Sequence, residues 1–154
     1  MDIPMVNNDF CQVVLDSITA HVAILDENGV IVSTNRAWQE YASINGLVSP
    51  NDCIGQNYLK ICDTTPDSPD KEIAKEVANG IRKVLSGKID EFFTHYPCHT
   101  EEQQSWYAVR VVPFRDVSEK MVIVTHENIM NVIMINIISY KLQISIFKSD
   151  LISF

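Results

Sequence analysis

The chain has 154 residues, 46% of them apolar and 21% charged, a composition that builds one globular core and excludes disorder along its whole length. Its 20 acidic residues against 12 basic ones give a formal charge of −8, which argues against a reader of phosphate backbones, so no nucleic acid is expected as a partner. The glycines are too scattered for GxGxxG or GxxxxGK, and HExxH and GxSxG do not occur, so the common signatures of nucleotide binding, zinc proteolysis and serine hydrolysis are missing.

Cysteines stand at positions 11, 53, 62 and 98, with no CxxC pair to suggest a zinc ribbon or a thioredoxin-type site. The opening residues lack the basic-then-apolar design of a signal peptide. Reduced thiols and a cytoplasmic location are therefore expected.

Residues 5–18 place Val6, Phe10, Val13, Val14 and Ile18 at helical spacing. Such a stripe either lies on its own domain or pairs with a second copy of the chain. Two strand-like runs follow, 21–25 and 30–33, joined by Asp26, Glu27, Asn28 and Gly29. That linker is rich in residues that tolerate tight-turn dihedrals, with glycine last where a positive φ is needed, so the spacing predicts an antiparallel hairpin. Asn35 reads as an N-cap. The helix behind it buries Ala37, Trp38, Tyr41 and Ala42 and stops near Gly46, a natural C′ residue.

Residues 47–68 are irregular, interrupted by one short turn over 57–62. Ser68, Pro69 and Asp70 then supply a cap, a first-turn proline and an acid at the positive end of a helix. Ile73, Val77, Ile81, Val84 and Leu85 carry that helix to Ser86 and Gly87. Three further strands are read over 91–98, 106–114 and 121–127. Two strands before the helices and three after predict an α+β fold: one antiparallel sheet, helices on one face and a pocket between them.

At this point the residues resemble a known family. The run Ala23 to Gly29 with Ile31 and Asn35, then Ala37 and Trp38, then Ile54 to Tyr58, carry the likeness. It continues through Gly80 to Gly87, the Tyr96, Pro97, Cys98, His99 strand, and Val124 to Ile129. Residues 20–129 thus resemble a PAS sensor domain, the small module of bacterial histidine kinases, cyclic-dinucleotide enzymes and other signalling proteins. The Tyr-Pro-Cys-His strand resembles one bacterial subgroup of that family. The resemblance implies a five-stranded sheet of order 2-1-5-4-3 and a sensing or protein-contact role without catalysis. It divides the chain into a flanking helix over 1–19, the PAS domain over 20–130, and a tail over 131–154.

Pocket candidates are the aromatics Trp38, Tyr41, Tyr58, Phe93, Tyr96 and Tyr107, each of which also has a plain reading as core packing. Cys62, Arg110 and His126 join them; an inward Arg110 would suit a carboxylate or phosphate on a ligand, whereas an outward one would reach solvent. Segment 55–60 resembles the light-sensing version of the fold, in which a reactive cysteine follows Gly-x-Asn. Tyr58 occupies that place here, so a flavin adduct is disfavoured and Cys62 reads as a small buried hydrophobe. A haem needs one axial ligand and an apolar slot, so it stays open as an alternative cofactor with His126 as the ligand, against a reading in which the ring bonds nearby backbone. The cofactor is otherwise unassigned. A dyad of Cys98 with His99 or His95 is unattractive, because strand alternation separates Cys98 from both. No catalytic residue and no metal ligand set is assigned.

Residues 131–154 depart from the family pattern. Ile, Val, Met and Ser dominate, and the only charges are Lys141, Lys148 and Asp150. The longest uncharged run, 128–140, is short and contains asparagine, so no bilayer span is read there. Its β-branched residues suit a strand as well as a helix. The expected function is a sensory domain that binds a small molecule or cofactor and changes its dimer or partner contacts, dimerising through the N-terminal helix. An unliganded interaction module is the alternative.

Overall fold

The computed structural model describes residues 8–44, 52–98, 102, 104–115 and 118–152. The elements run α1 (Asn8–Asp16), β1 (His21–Leu25), β2 (Ile31–Thr34), α2 (Arg36–Ile44), α3 (Tyr58–Asp63), α4 (Asp70–Leu85), β3 (Phe92–Pro97), β4 (Trp106–Pro113), β5 (Val122–Asn128) and α5 (Met130–Ile152). The five strands make one antiparallel sheet of order β2-β1-β5-β4-β3, the topology that the family resemblance implies.

The β1–β2 hairpin closes through Asp26. Its carboxylate accepts the amides of Asn28 and Val30, both at 2.9 Å, and its carbonyl accepts Gly29 N–H at 3.0 Å. Gly29 has φ +79°, and a Cβ there would meet the Leu59 side chain at 2.6 Å. The turn thus needs glycine for conformation and for space.

One face of the sheet holds the core. Ala23, Leu25, Val109, Val111, Val122 and Val124 pack against Val77, Ala78, Ile81 and Val84 of α4 and Leu59 of α3. The amphipathic spacing read for α4 is the buried stripe. No side chain caps its start, so Ser68 contributes its backbone carbonyl to Lys71 N–H instead of the predicted hydroxyl cap. At Gly80 the helix comes so close to β3 that a Cβ would fall 2.3 Å from the Phe92 ring. Gly80→Ala would gain about 1 kcal/mol of helix propensity. The ring is held between helix and sheet, however, and overpacking costs about 1–3 kcal/mol. Net destabilisation with an unchanged m-value is the expected outcome in urea titration.

Two readings left open by the sequence are narrowed at the ends. The apolar stripe of α1 is not laid on its own domain: Val13 is 63% exposed and Phe10 56%. The polar side of the helix makes the attachment, with Gln12 Nε2 donating to Thr34 O at 3.1 Å and Asp16 Oδ1 accepting Arg36 N–H at 2.7 Å. Val6 and the predicted stop at Gly46 lie outside the described residues. The tail, open between strand and helix, is the helix α5. Among the described residues no helix is long and apolar enough to cross a membrane.

Candidate functional site

Asn35, wholly buried, sets the site's first wall. Its Oδ1 accepts the amides of Val22 at 2.9 Å and Trp38 at 3.0 Å, fixing the start of α2 against β1. Trp38, Tyr41 and Ala42 then share one helix face at i, i+3 and i+4, turned toward the sheet. Cys53, buried at φ 70° directly after Asp52 at φ 54°, brings the next stretch of backbone to the same space.

The second wall is α3. Asn57 caps it through Lys60 N–H at 2.9 Å and donates from Nδ2 to Asn28 O at 3.0 Å, while Tyr58 N–H donates to Gly29 O at 2.8 Å. The hairpin and α3 are thereby one unit, and Tyr58 leaves it pointing at the sheet. There His126 of β5 waits: Tyr58 Oη lies 2.9 Å from His126 Nε2, and Tyr96 Oη of β3 lies 3.2 Å from Nδ1. Both ring nitrogens are engaged, one donating and one accepting while the ring is neutral. This corrects the expectation that the ring would bond nearby backbone.

Burial, with a smaller contribution from nearby His21, lowers the His126 pKa to about 4, so the ring is neutral at physiological pH. Burial also raises Tyr58 well above the usual tyrosine range and raises Tyr96. Burial pushes the thiol of Cys62, one turn beyond Tyr58, up to about 11. A thiol held so firmly in its protonated form is no nucleophile.

Between these walls lies a chamber of about 180 Å³. Aromatic rings dominate it: Trp38 sits 5.9 Å from Tyr58 and 6.0 Å from His126, and His21 stacks on Tyr41 at 4.5 Å. Among the described residues no Asp, Glu, Lys or Arg lines it. A second, more open groove shares Tyr41, Tyr58, Tyr96 and His126 with the chamber and continues past Cys62 to Cys98.

Of the nine predicted residues, Trp38, Tyr41, Tyr58, Tyr96 and His126 line the chamber. Cys62 lines the groove beside it. Tyr107 stands behind, stacked on Tyr96 at 5.9 Å. Phe93 and Arg110 do not belong to the site. They pair across β3 and β4 on the opposite face, where Arg110 lies 5.6 Å from the Phe93 ring centroid and pairs with Glu91. Arg110 alternates with Val109 and Val111, both fully buried, so the pleat turns it outward. His21, Ile31, Cys53, Gln56 and Ile61 complete the lining and were not anticipated. His21 could have been found, since it faces His126 across the β1–β5 ladder. His99 lies outside the described residues.

The haem alternative does not fit this geometry. The chamber is smaller than the roughly 300–1,000 Å³ of drug-sized sites, and His126 has no nitrogen to spare for iron.

Comparison with known proteins agrees with the topology. The sequence profile described as PAS fold matches residues 15–127. The chain belongs to the PAS family. An uncharacterized 104.1 kDa protein in the hypE 3′ region of Rhodobacter capsulatus is 36% identical over 108 residues, covering 70% of this chain. The chain spans only 11% of that relative's length. Among solved structures, the PAS domain of Bordetella pertussis BvgS superposes with a TM-score of 0.56 at 16% identity, covering 89% of this chain and 96% of that one. VqmA of Vibrio cholerae, in a structure bound to DPO, gives a TM-score of 0.53 at 21% identity, over 76% of this chain and 56% of its own. At these identities the structural likenesses speak for the PAS fold alone.

Proposed function

We propose that this PAS domain is the sensory part of a signalling protein and binds a small molecule in the aromatic chamber, without catalysing a reaction. The supporting observation is the placement of His126. It lies at the chamber wall on β5, and that strand runs through Ile129 directly into α5. Ile129 N–H is held by Trp106 O at 2.8 Å and Met130 N–H by Asn128 Oδ1 at 3.0 Å, so strand and helix move as one. A ligand that competes for the Tyr58 or Tyr96 hydroxyl alters the hold on His126 and thereby the base of α5. It shifts the balance of states only by its difference in affinity between them, and a tenfold preference corresponds to about 1.4 kcal/mol. The exposed apolar face of α1 and the exposed apolar side chains of α5 would carry the change to a second copy of the chain or to an output partner, in the cytoplasm. That VqmA was solved bound to DPO supports a ligand in a protein that includes this fold.

The small volume of the chamber favours a second reading, in which its own aromatics fill it and the domain serves contacts alone. Native mass spectrometry of gently purified protein separates the two. A non-covalent small-molecule adduct that weakens in Tyr58→Phe is expected. Bare protein at every charge state would overturn the sensory reading and leave the contact module.

A further inference from the structure

The polar inventory of the chamber specifies what it can hold. Among the described residues its walls hold no Asp, Glu, Lys or Arg, burial disfavours the charged form of His21, and His126 is neutral with both nitrogens occupied by tyrosines. A charged ligand would therefore enter without a counter-charge, and an uncompensated buried charge is strongly disfavoured. One group is left over. The indole Nε1–H of Trp38 is buried and, among the described residues, has no hydrogen-bond partner. Buried tryptophan N–H groups usually find an acceptor, and Trp38 borders the chamber itself. The other polar groups include the hydroxyls of Tyr41, Tyr58 and Tyr96, the Gln56 amide and the His21 ring, set among Ile31, Ala42 and Ile61.

We infer that the ligand of this chamber is a small, uncharged, mainly apolar molecule carrying one hydrogen-bond acceptor, which takes the indole N–H of Trp38. The inference rests on the sensory reading above and adds the ligand's chemical class. Flat ring faces on several sides favour a molecule that can stack or meet them edge-on. Displacement of water from an apolar site is favourable only if the polar group it served finds a replacement, which is the task of the acceptor.

Three probes of similar size distinguish the contributions: acetophenone, ethylbenzene and benzoate. Each is titrated into ¹⁵N-labelled protein while the Trp38 indole signal is followed, identified by its loss in Trp38→Phe. Acetophenone is expected to bind about tenfold more tightly than ethylbenzene and to move the indole proton downfield, while benzoate leaves the spectrum unchanged. In Trp38→Phe the two neutral probes should bind equally, and retained ethylbenzene binding shows that the variant is folded with its chamber intact. Ethylbenzene matching acetophenone in the unaltered protein, a still indole signal, preference for benzoate, or no binding by either neutral probe would overturn the inference. A charged adduct in native mass spectrometry would also overturn it while the sensory reading stood. Absence of any adduct would strike the sensory reading itself.

Discussion

Asn35→Ala is expected to cost the domain about 4 kcal/mol, a large part of the roughly 5–15 kcal/mol that keeps such a fold together. The side chain is fully buried and has five hydrogen-bond partners, its two amide hydrogens being shared among three carbonyls. Its oxygen takes the amides of Val22 and Trp38. Its nitrogen gives to the carbonyls of Leu15, Ile18 and Ala20 at 3.2, 3.0 and 2.9 Å. Alanine would leave the two amides and the carbonyls of Ile18 and Ala20 in need of partners, while Leu15 O keeps Ile18 N–H at 3.1 Å; each buried group costs about 1–3 kcal/mol if none is found. Partial access of water to the carbonyls keeps the sum below the upper end of that range. Loss of an ordinary N-cap costs about 1 kcal/mol, so the size of the effect distinguishes a cap from a hub. Asn35→Asp preserves both acceptor bonds but replaces the donor with a second oxygen aimed at three carbonyls. It should be no rescue. Urea titration of both variants tests the point: a loss under about 1.5 kcal/mol for the alanine variant would reduce Asn35 to a helix cap.

The capping role of Asn35 was legible because an Asn before an apolar helical stripe is a local signal. Its three carbonyl partners were not, since they depend on how residues 15–20 return to the sheet. The same division runs through the chain. The hairpin, the stripe of α4 and the alternation of the last three strands are local patterns, and all are present. Their assembly into the order 2-1-5-4-3 came from the family resemblance.

The site divides similarly. Trp38, Tyr41, Tyr58, Tyr96 and His126 come from four elements, and residue type alone suggested them. Phe93 and Arg110 were misplaced although the register of β4 carried the answer: with Val109 and Val111 inward, Arg110 must face out. For α1 the usual rule inverted, because polar anchors at Gln12 and Asp16 hold the helix while its apolar side faces away. In α5 Leu142, Ile144 and Ile146 alternate with polar residues. Alternation at period two is a strand pattern, and on a helix it scatters apolar side chains over all sides. The exposure of Val132, Ile135, Leu142 and Ile146 is that scatter.

The last expected result concerns acid. His126 titrates near pH 4 in the folded chain and near 6.5 when unfolded. Well above pH 6.5 the ring is neutral in both states, and its titration contributes nothing to the pH dependence. As the pH falls through 6.5 the unfolded chain takes up the proton first, so stability falls. The loss grows until the folded ring also protonates near pH 4, where it levels off at about 3 kcal/mol. The groups facing the ring are Tyr58 from α3, Tyr96 from β3, His21 from β1 and Trp38 from α2. Asp70 of α4 lines the groove that His126 also borders, but its carboxylate forms no ion pair with the ring. His21, itself lowered by burial, opposes the second positive charge. Protonation would also make both ring nitrogens donors, so whichever tyrosine donates to the neutral ring would have to turn its hydroxyl elsewhere. His126→Gln removes the titration while keeping a donor and an acceptor at the same wall. Urea midpoints measured from about pH 7 to pH 4 should therefore fall more steeply for the unaltered protein, by the equivalent of about 3 kcal/mol across the interval. Parallel curves would mean that His126 is hydrated in the folded state. In that event the hydroxyls of Tyr58 and Tyr96 would lose their fixed partner, and the route from chamber to α5 would lose its first step.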